Sequence, residues 1–199
     1  MHSILKLFAL DSLKSPGGLK IMTKENFDLE TKNQLKILND LSTIFKNENL
    51  DFWLRGGWAI DFILGKVTRI HSDIDLCTWI TNREKIEHTL IHAGFKEDPV
   101  NEPFRNRQSD FVKENVYISI CYLTYDRNNN LILNELPEWV WREESLSPKI
   151  YHLHGITAKT IHPKQLLEEK KIYREIGRPH RKKDEESMRI LRQILAEYE

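Results

Sequence analysis

Long apolar runs are missing from this sequence of 199 residues. No stretch approaches the roughly 18–20 consecutive apolar residues that a membrane-spanning helix needs. We therefore predict that this chain does not span a membrane. The opening MHSILKLFALDSLKSPGG has a short apolar stretch. It has neither a strongly basic start nor a clear cleavage site, so we predict no signal peptide.

Cysteine is scarce, because the chain contains only Cys77 and Cys121. Both fall in predicted strands, and no CxxC pair is present that would indicate a metal or redox site. The sequence therefore favours reduced thiols and a cytoplasmic protein.

Net charge is missing as well, since 30 basic residues balance 30 acidic ones. No field of the whole molecule then attracts nucleic acid or an acidic membrane. Any site for a polyanion has to be local.

The order of the predicted elements indicates an α+β fold with a helical C-terminal part. SPGG at 15–18 separates an N-terminal extension, residues 1–21, from a core at residues 22–162. Proline at 163 favours a helix start, and helices are expected over residues 163–199. In the core, apolar spacing predicts helices near 22–45, 58–65 and 82–93, and strands at 51–55, 73–79, on both sides of 113–115, and at 156–161.

Two features of the core carry chemistry. Gly56 and Gly57 lie between a predicted strand and a predicted helix, where backbone N–H groups and the helix dipole favour an anion. Asp73 and Asp75 lie on one face of the next strand. Paired carboxylates suit Mg²⁺, which binds proteins through one or two carboxylates together with substrate phosphates. The combination indicates a site for Mg²⁺ and a nucleoside triphosphate.

The stretch WLRGGWAIDFILGKVTRIHSDIDL at 53–76 resembles the aminoglycoside 2''-nucleotidyltransferases and the lincosamide nucleotidyltransferases. Weaker similarity continues in SDFVKEN, PKQLLEEKKIY and GRPHRKKD, so it covers most of 30–195. The resemblance implies a polymerase-β-like nucleotidyltransferase core, a mixed sheet with flanking helices. It also implies transfer of a nucleoside monophosphate to a hydroxyl, with release of pyrophosphate.

Residue roles follow from the resemblance by position. Gly56 and Gly57 would hold the triphosphate, and Asp73 and Asp75 would bind the metals and act in catalysis. Arg69 would contact phosphate or brace the loop in an ion pair. His71 would touch the nucleotide or hold the start of the strand, Asp61 would stabilise the glycine turn by a hydrogen bond, and Trp58 would lie in the core.

The resemblance also implies a third carboxylate on a neighbouring strand, where it would complete the metal site and serve as base. Here the aligned position is Ser119, in VYISICYL. Serine neither holds Mg²⁺ tightly nor acts as a base near neutral pH. Three interpretations stay open. Asp110 or Glu114 supplies the carboxylate, with Asp110 favoured as the catalytic group; another group supplies the base; or transfer has been lost.

The C-terminal part is locally basic. Residues 163–183 contain eight Lys or Arg residues but only three Glu residues. This is either a solvated helix face or a phosphate-neutralising surface, with Lys170 or Lys171 and Tyr173 near the nucleotide. Asp184 is expected to be structural.

The segment LNELPEWVWREES combines carboxylates with tryptophans. Such a surface suits a cationic, sugar-like acceptor, and it equally suits a surface loop packed by its own aromatic side chains. Its candidate residues are Glu135, Glu138, Trp139, Trp141, Glu143 and Glu144.

These observations predict a Mg²⁺-dependent adenylyltransferase that acts on a small hydroxylated molecule of the aminoglycoside or lincosamide kind. One alternative is a catalytically impaired relative that binds nucleotide. Another is transfer to RNA or protein. Nucleic acid is disfavoured as a partner, because no motif with interleaved aromatic residues accompanies the basic patch.

Overall fold

The computed structural model describes residues 24–102, 104–175 and 181–197. The chain divides into a larger unit, residues 22–161, and a helical unit that begins at His162. The predicted extension at residues 1–21 lies outside the described residues. No helix in the described ranges combines the length and hydropathy needed to cross a bilayer.

The larger unit contains helices on a mixed sheet. In chain order its elements are α1 (Lys24–Asn47), β1 (Trp53–Leu54), α2 (Gly56–Leu64), β2 (Ile74–Trp79), α3 (Arg83–His92), β3 (Lys96–Asp98), β4 (Gln108–Lys113), β5 (Val116–Tyr125), β6 (Leu131–Leu133), β7 (Leu136–Val140), β8 (Leu146–Leu153) and β9 (Ile156–Ile161). Short 3₁₀ turns precede α3 and β8. The predicted α+β class is confirmed.

The sheet has the strand order β3-β4-β5-β2-β1-β9-β8, and β6 and β7 continue from β5. β2 runs parallel to β5 and antiparallel to β1. β4 runs antiparallel to β5. The strand that carries Asp75 is therefore central, with one neighbour on each side.

The core lies under one face of β2 and β5. Ile74, Leu76, Ile118 and Ile120 are all buried, while Asp75 and Ser119 between them are half-buried. This alternation is expected for strands with one face in the core. α1 contributes a buried stripe at helical spacing, and it packs on β5 and β9. Its buried apolar residues are Ile37, Leu38, Leu41 and Phe45.

The helical unit consists of α4 (Pro163–Glu175) and α5 (Lys182–Ala196), which contact each other. Pro163 is the first residue of α4, a position where the missing proline N–H costs nothing. α5 buries Met188, Leu191 and Ile194, spaced three residues apart on one face.

Some boundaries differ from the sequence prediction. α2 begins at Gly56, although the glycine pair was expected to precede the helix. The segment considered as a loop around Trp139 contains β7, which pairs with β6. Glutamate and proline disfavour strands, so the pairing with β6 outweighs local propensity here.

Candidate active site

The first turn of α2 lies directly against β2. Gly56 has a φ of +62°, a conformation that glycine adopts without steric cost. A methyl group at its Cβ position would overlap Oδ2 of Asp75. Two constraints therefore require glycine here, and the second is the approach of a predicted metal ligand.

Gly57 lies against the loop that leads into β2. A Cβ atom at this position would overlap the His71 ring at Nδ1, and it would lie 2.6 Å from a terminal nitrogen of Arg69. Arg69 also donates to the carbonyl of Ile70 at 2.8 Å. The two glycines thus bring Asp75, His71 and Arg69 around one helix turn.

Hydrogen bonds fasten this loop to α2. Asp61, which is fully buried, accepts from Thr68 Oγ1 at 2.5 Å and pairs with His71 Nε2 at 2.6 Å. From α1, Gln34 donates to the His71 carbonyl at 2.7 Å and accepts from Trp58 Nε1 at 2.7 Å. The buried positions of Trp58 and Asp61 agree with the sequence prediction. Gln34 was missed, because nothing local marks a glutamine as a bridge.

Burial lowers the pKa of His71, although the hydrogen bond to Asp61 opposes this shift. The neutral ring then donates from Nε2 to the Asp61 carboxylate, which leaves a lone pair on Nδ1. Within the described ranges Nδ1 has no hydrogen-bond partner, although it is buried. This acceptor atom faces Gly57.

Asp73 and Asp75 are both half-buried, and they lie just before and within β2. The backbone N–H of Arg55 donates to the Asp75 carbonyl at 2.9 Å, which ties the glycine turn to this strand. Among the described residues, no three His, Cys, Asp or Glu side chains converge tightly enough to form a metal site by themselves. Asp73 and Asp75 therefore belong to no such three-residue cluster in this part of the chain.

Strand register explains where the candidate third acids lie. Asp75 pairs with Ser119 on β5, Ser119 pairs with Asp110 on β4, and Asp110 pairs with Asp98 on β3. The Ser119 hydroxyl donates to Oδ1 of Asp110 at 2.8 Å. Asp98 ends this row, and no sequence signal pointed to it.

Glu114, the other candidate acid, lies outside this row. It occupies the exposed turn after β4 with a φ of +52°. Its carboxylate pairs with Lys36 at 2.6 Å. The solvated position expected for Glu114 is therefore found.

Arg55 is a site residue that the sequence analysis missed. Its side chain donates to Sγ of Cys121 at 2.8 Å, and its guanidinium carbon lies 5.8 Å from the centre of the Trp141 ring. Its position directly before the glycine pair was a usable signal. Cys121 and its register partner Cys77 form no disulfide.

Lys170 is held in the helical unit. Its ammonium donates to Asp184 at 2.9 Å, and Arg181 donates to the same carboxylate at 2.6 and 3.0 Å. Burial raises the pKa of Asp184, but these two cations outweigh it and hold the pKa well below its usual range. Asp184 is structural, as expected, while nucleotide binding by Lys170 stays a prediction. The side chain of Tyr173 lies outside the described residues.

In the segment around β7, Trp139 and Trp141 are buried, while the carboxylate residues Glu135, Glu138, Glu143 and Glu144 are exposed. The tryptophans therefore pack inward and form no exposed stacking surface. The acidic side chains alone remain available to a cationic ligand.

A family model of aminoglycoside-2''-adenylyltransferases matches residues 37–191, which include the glycine turn, β2 and α4. This chain belongs to that family. A 2''-aminoglycoside nucleotidyltransferase of Klebsiella pneumoniae is 46% identical over 61 residues, which span 31% of this chain and 34% of the relative. A lincosamide resistance protein of Staphylococcus haemolyticus is 33% identical over 66 residues, spanning 33% of this chain and 39% of the relative. The matched stretch thus spans about a third of the length of these curated relatives.

Solved structures show the same fold. The crystal structure of ANT(2'')-Ia in complex with adenylyl-2''-tobramycin matches with a TM-score of 0.69 and 20% identity, covering 83% of this chain and 92% of the other. The lincomycin-bound lincosamide antibiotic adenylyltransferase LnuA matches with a TM-score of 0.61 and 22% identity, covering 82% of this chain and 96% of the other. The predicted nucleotidyltransferase core is confirmed.

Proposed function

We propose that this family member transfers AMP from Mg²⁺-bound ATP to a hydroxyl of an aminoglycoside or lincosamide antibiotic. The observation that carries the proposal is the glycine turn of α2, packed against Asp75, His71 and Arg69. His71 and Arg69 also brace the loop, through Asp61 and the Ile70 carbonyl. A carboxylate and a guanidinium beside a helix N-terminus nevertheless form a set that suits phosphate together with a metal ion.

The start of α2 suits a triphosphate. Arg55 at the N-cap makes no side-chain capping bond, and the first turn carries no acidic side chain. Helix N-termini of this type favour anions through their N–H groups and dipole. Arg69, beside Gly57, supplies a cation at the same place. Gly56, Gly57 and Arg69 would bind the phosphates. His71, which packs against Gly57 and pairs with Asp61, would hold the turn in place.

The donor set suits Mg²⁺. Asp73 and Asp75 offer hard carboxylate oxygens, and Mg²⁺ is usually held by one or two carboxylates, with phosphate oxygens and water completing the shell. These two residues would hold the metal in this chain. When bound, Mg²⁺ supplies neutralisation of the charge on the triphosphate.

Charge favours one class of acceptor. The exposed carboxylates of Glu138, Glu143 and Glu144 flank Trp141 in sequence, and the Trp141 ring lies 5.8 Å from the guanidinium carbon of Arg55, directly before the glycine turn. Acidic side chains in this segment suit a polycationic sugar better than a neutral one. Aminoglycosides are polycationic, so we place them ahead of lincosamides as the acceptor.

The test is incubation of the purified chain with MgATP and a panel of aminoglycosides and lincosamides. We expect pyrophosphate release that depends on one of these acceptors, with the antibiotic gaining the mass of AMP. Glu186→Gln, an exposed change in α5, serves as the matched control and should behave as the native chain. Two results would contradict this assignment: pyrophosphate release that needs none of the acceptors in the panel, or AMP attached to RNA or protein instead of to the antibiotic.

A second candidate function rests on Ser119. Serine stands where the resemblance implies an acid, so the second candidate is a chain that binds nucleotide without transferring it. Calorimetric binding of a non-hydrolysable ATP analogue, with no product from any acceptor, would support this candidate. Product from one acceptor would remove it.

A further inference from the structure

Three polar side chains stand side by side across the middle of the sheet. Asp75 on β2 pairs in register with Ser119 on β5, which pairs with Asp110 on β4. Residues paired in this way point to the same sheet face. All three are half-buried, while their apolar chain neighbours are buried on the opposite face. The row therefore opens on the side where the glycine turn meets Asp75.

Asp110 is aimed at Ser119 by a second contact. Ser119 Oγ donates to Oδ1 of Asp110 at 2.8 Å, and Gln108 Nε2 donates to both carboxylate oxygens at 3.0 and 3.1 Å. Gln108 lies two residues earlier on the same strand face. The carboxylate is thus oriented from one side by an amide and from the other by the serine hydroxyl.

Spacing separates the roles of Ser119 and Asp110. Adjacent strands lie about 4.8 Å apart, so Ser119 is one such step from Asp75, while Asp110 is two steps away, about 10 Å. A hydroxyl acceptor next to a phosphate held at Asp75 would therefore reach Ser119 first. Asp110 could act on it only through Ser119.

We propose that Ser119 and Asp110 together replace the missing third acid, as a hydroxyl relay backed by a carboxylate. This inference rests on the proposed transferase function. The acceptor O–H gives its proton to Ser119 Oγ while Ser119 passes its own proton to Asp110. The acceptor oxygen forms a bond to the α-phosphorus of the nucleoside triphosphate. The bond from that phosphorus to the β-phosphate oxygen breaks, and pyrophosphate leaves with the electron pair.

The relay accounts for both residues at once. Serine alone is a poor base near neutral pH, but a carboxylate that accepts its hydrogen makes the hydroxyl oxygen a better proton acceptor. Ser119 is then the catalytic residue, and Asp110 is the positioning residue that receives the proton through it.

The test compares Ser119→Ala, Asp110→Asn and the double variant in steady-state transfer. We expect each single change to lower kcat by about 10²–10⁴-fold, with acceptor KM and nucleotide affinity within about threefold of the native values. The double variant should be no slower than the slower single variant, because both changes remove one relay. Multiplicative losses in the double variant, or a native kcat in Asp110→Asn, would overturn the relay.

Rescue distinguishes a relay from a structural contact. Ser119→Asp puts a carboxylate one strand from Asp75, so adding it to Asp110→Asn should restore kcat to at least a tenth of the native value. A double variant that stays as slow as Asp110→Asn alone, while folded by thermal unfolding and binding nucleotide by calorimetry, contradicts the relay. Glu114→Gln is the matched carboxylate-to-amide control and should keep the native kcat, since this turn residue pairs only with Lys36 among the contacts described for it.

Failure of the proposed function gives a different pattern. If the native chain forms no product but Ser119→Asp does, the relay is wrong and the chain is an impaired member of its family. If neither the native chain nor Ser119→Asp forms product with any acceptor, both the transferase function and the relay are contradicted.

Discussion

Backbone strain and side-chain contact can be separated at the two glycines that begin α2 and directly follow it, Gly56 and Gly65. Gly56 and Gly65 have nearly the same φ, +62° and +66°. A Cβ atom on Gly56 would meet Asp75, whereas nothing lies within 4 Å of the corresponding position on Gly65. The two positions therefore share the strain and differ in the contact.

Replacing Gly56 by alanine should weaken nucleotide binding, while Gly65→Ala should not. Both changes place a side chain in the left-handed region, which costs about 1–2 kcal/mol of stability. Only Gly56→Ala displaces the Asp75 carboxylate, so we expect its affinity for an Mg²⁺-bound ATP analogue to fall at least tenfold, or about 1.4 kcal/mol. Chemical denaturation measures the first effect and calorimetry the second. Equal nucleotide affinities of the two variants would refute the role given to this contact.

At the scale of elements, the sequence predicted those helices and strands that are determined by a local pattern of apolar residues. Apolar spacing located α1 and β2, and the glycine pair with Asp73 and Asp75 located the candidate site. The strands β3, β6 and β8 were missed because their pairing partners, and not their own sequence patterns alone, make them strands. The bond between Ser119 and Asp110 was out of reach for the same reason, because it depends on the register of β4 with β5.

The helical unit offers a test of electrostatics on its own. Asp184 is the shared partner of Lys170 and Arg181, and it is only 8% exposed. Removing one partner of a buried ion pair leaves uncompensated charge. We expect Asp184→Asn to lower the free energy of unfolding at pH 7 by on the order of 3 kcal/mol, measured by urea denaturation. The exposed Glu186→Gln should change it by less than about 0.5 kcal/mol.

The same carboxylate predicts a pH dependence. Because the pKa of Asp184 is lower in the folded chain than its ordinary value of 3.8, its stabilisation is complete above that value. It is lost as the pH falls further, when the folded chain must also take up the proton. The stability difference between the native chain and Asp184→Asn should therefore be constant from pH 7 to 5 and shrink below pH 4. A difference that grows with acidity would show the shift to have the opposite sign.

At the scale of the whole molecule, nucleotide binding should raise the free energy of unfolding and therefore Tm. A ligand that binds only the folded chain stabilises it by RT ln(1 + [L]/Kd), about 2.7 kcal/mol at a hundredfold excess over Kd. We expect a non-hydrolysable ATP analogue to raise Tm with Mg²⁺ and to raise it much less with chelator. Gly56→Ala should show a smaller rise with Mg²⁺ than the native chain does. An equal rise with and without Mg²⁺ would contradict the metal assignment.

The function proposed for the glycine turn with Asp73 and Asp75 is transfer of AMP to an antibiotic hydroxyl. Mass spectrometry of an aminoglycoside incubated with MgATP and the native chain tests this most directly, beside Asp75→Asn and Asp98→Asn. These two aspartates end the same row of the sheet, but only Asp75 meets the glycine turn. We expect adenylylated antibiotic with the native chain and with Asp98→Asn. With Asp75→Asn the yield of adenylylated antibiotic should be lower by on the order of 10²–10³-fold. Equal yields from all three proteins would contradict it.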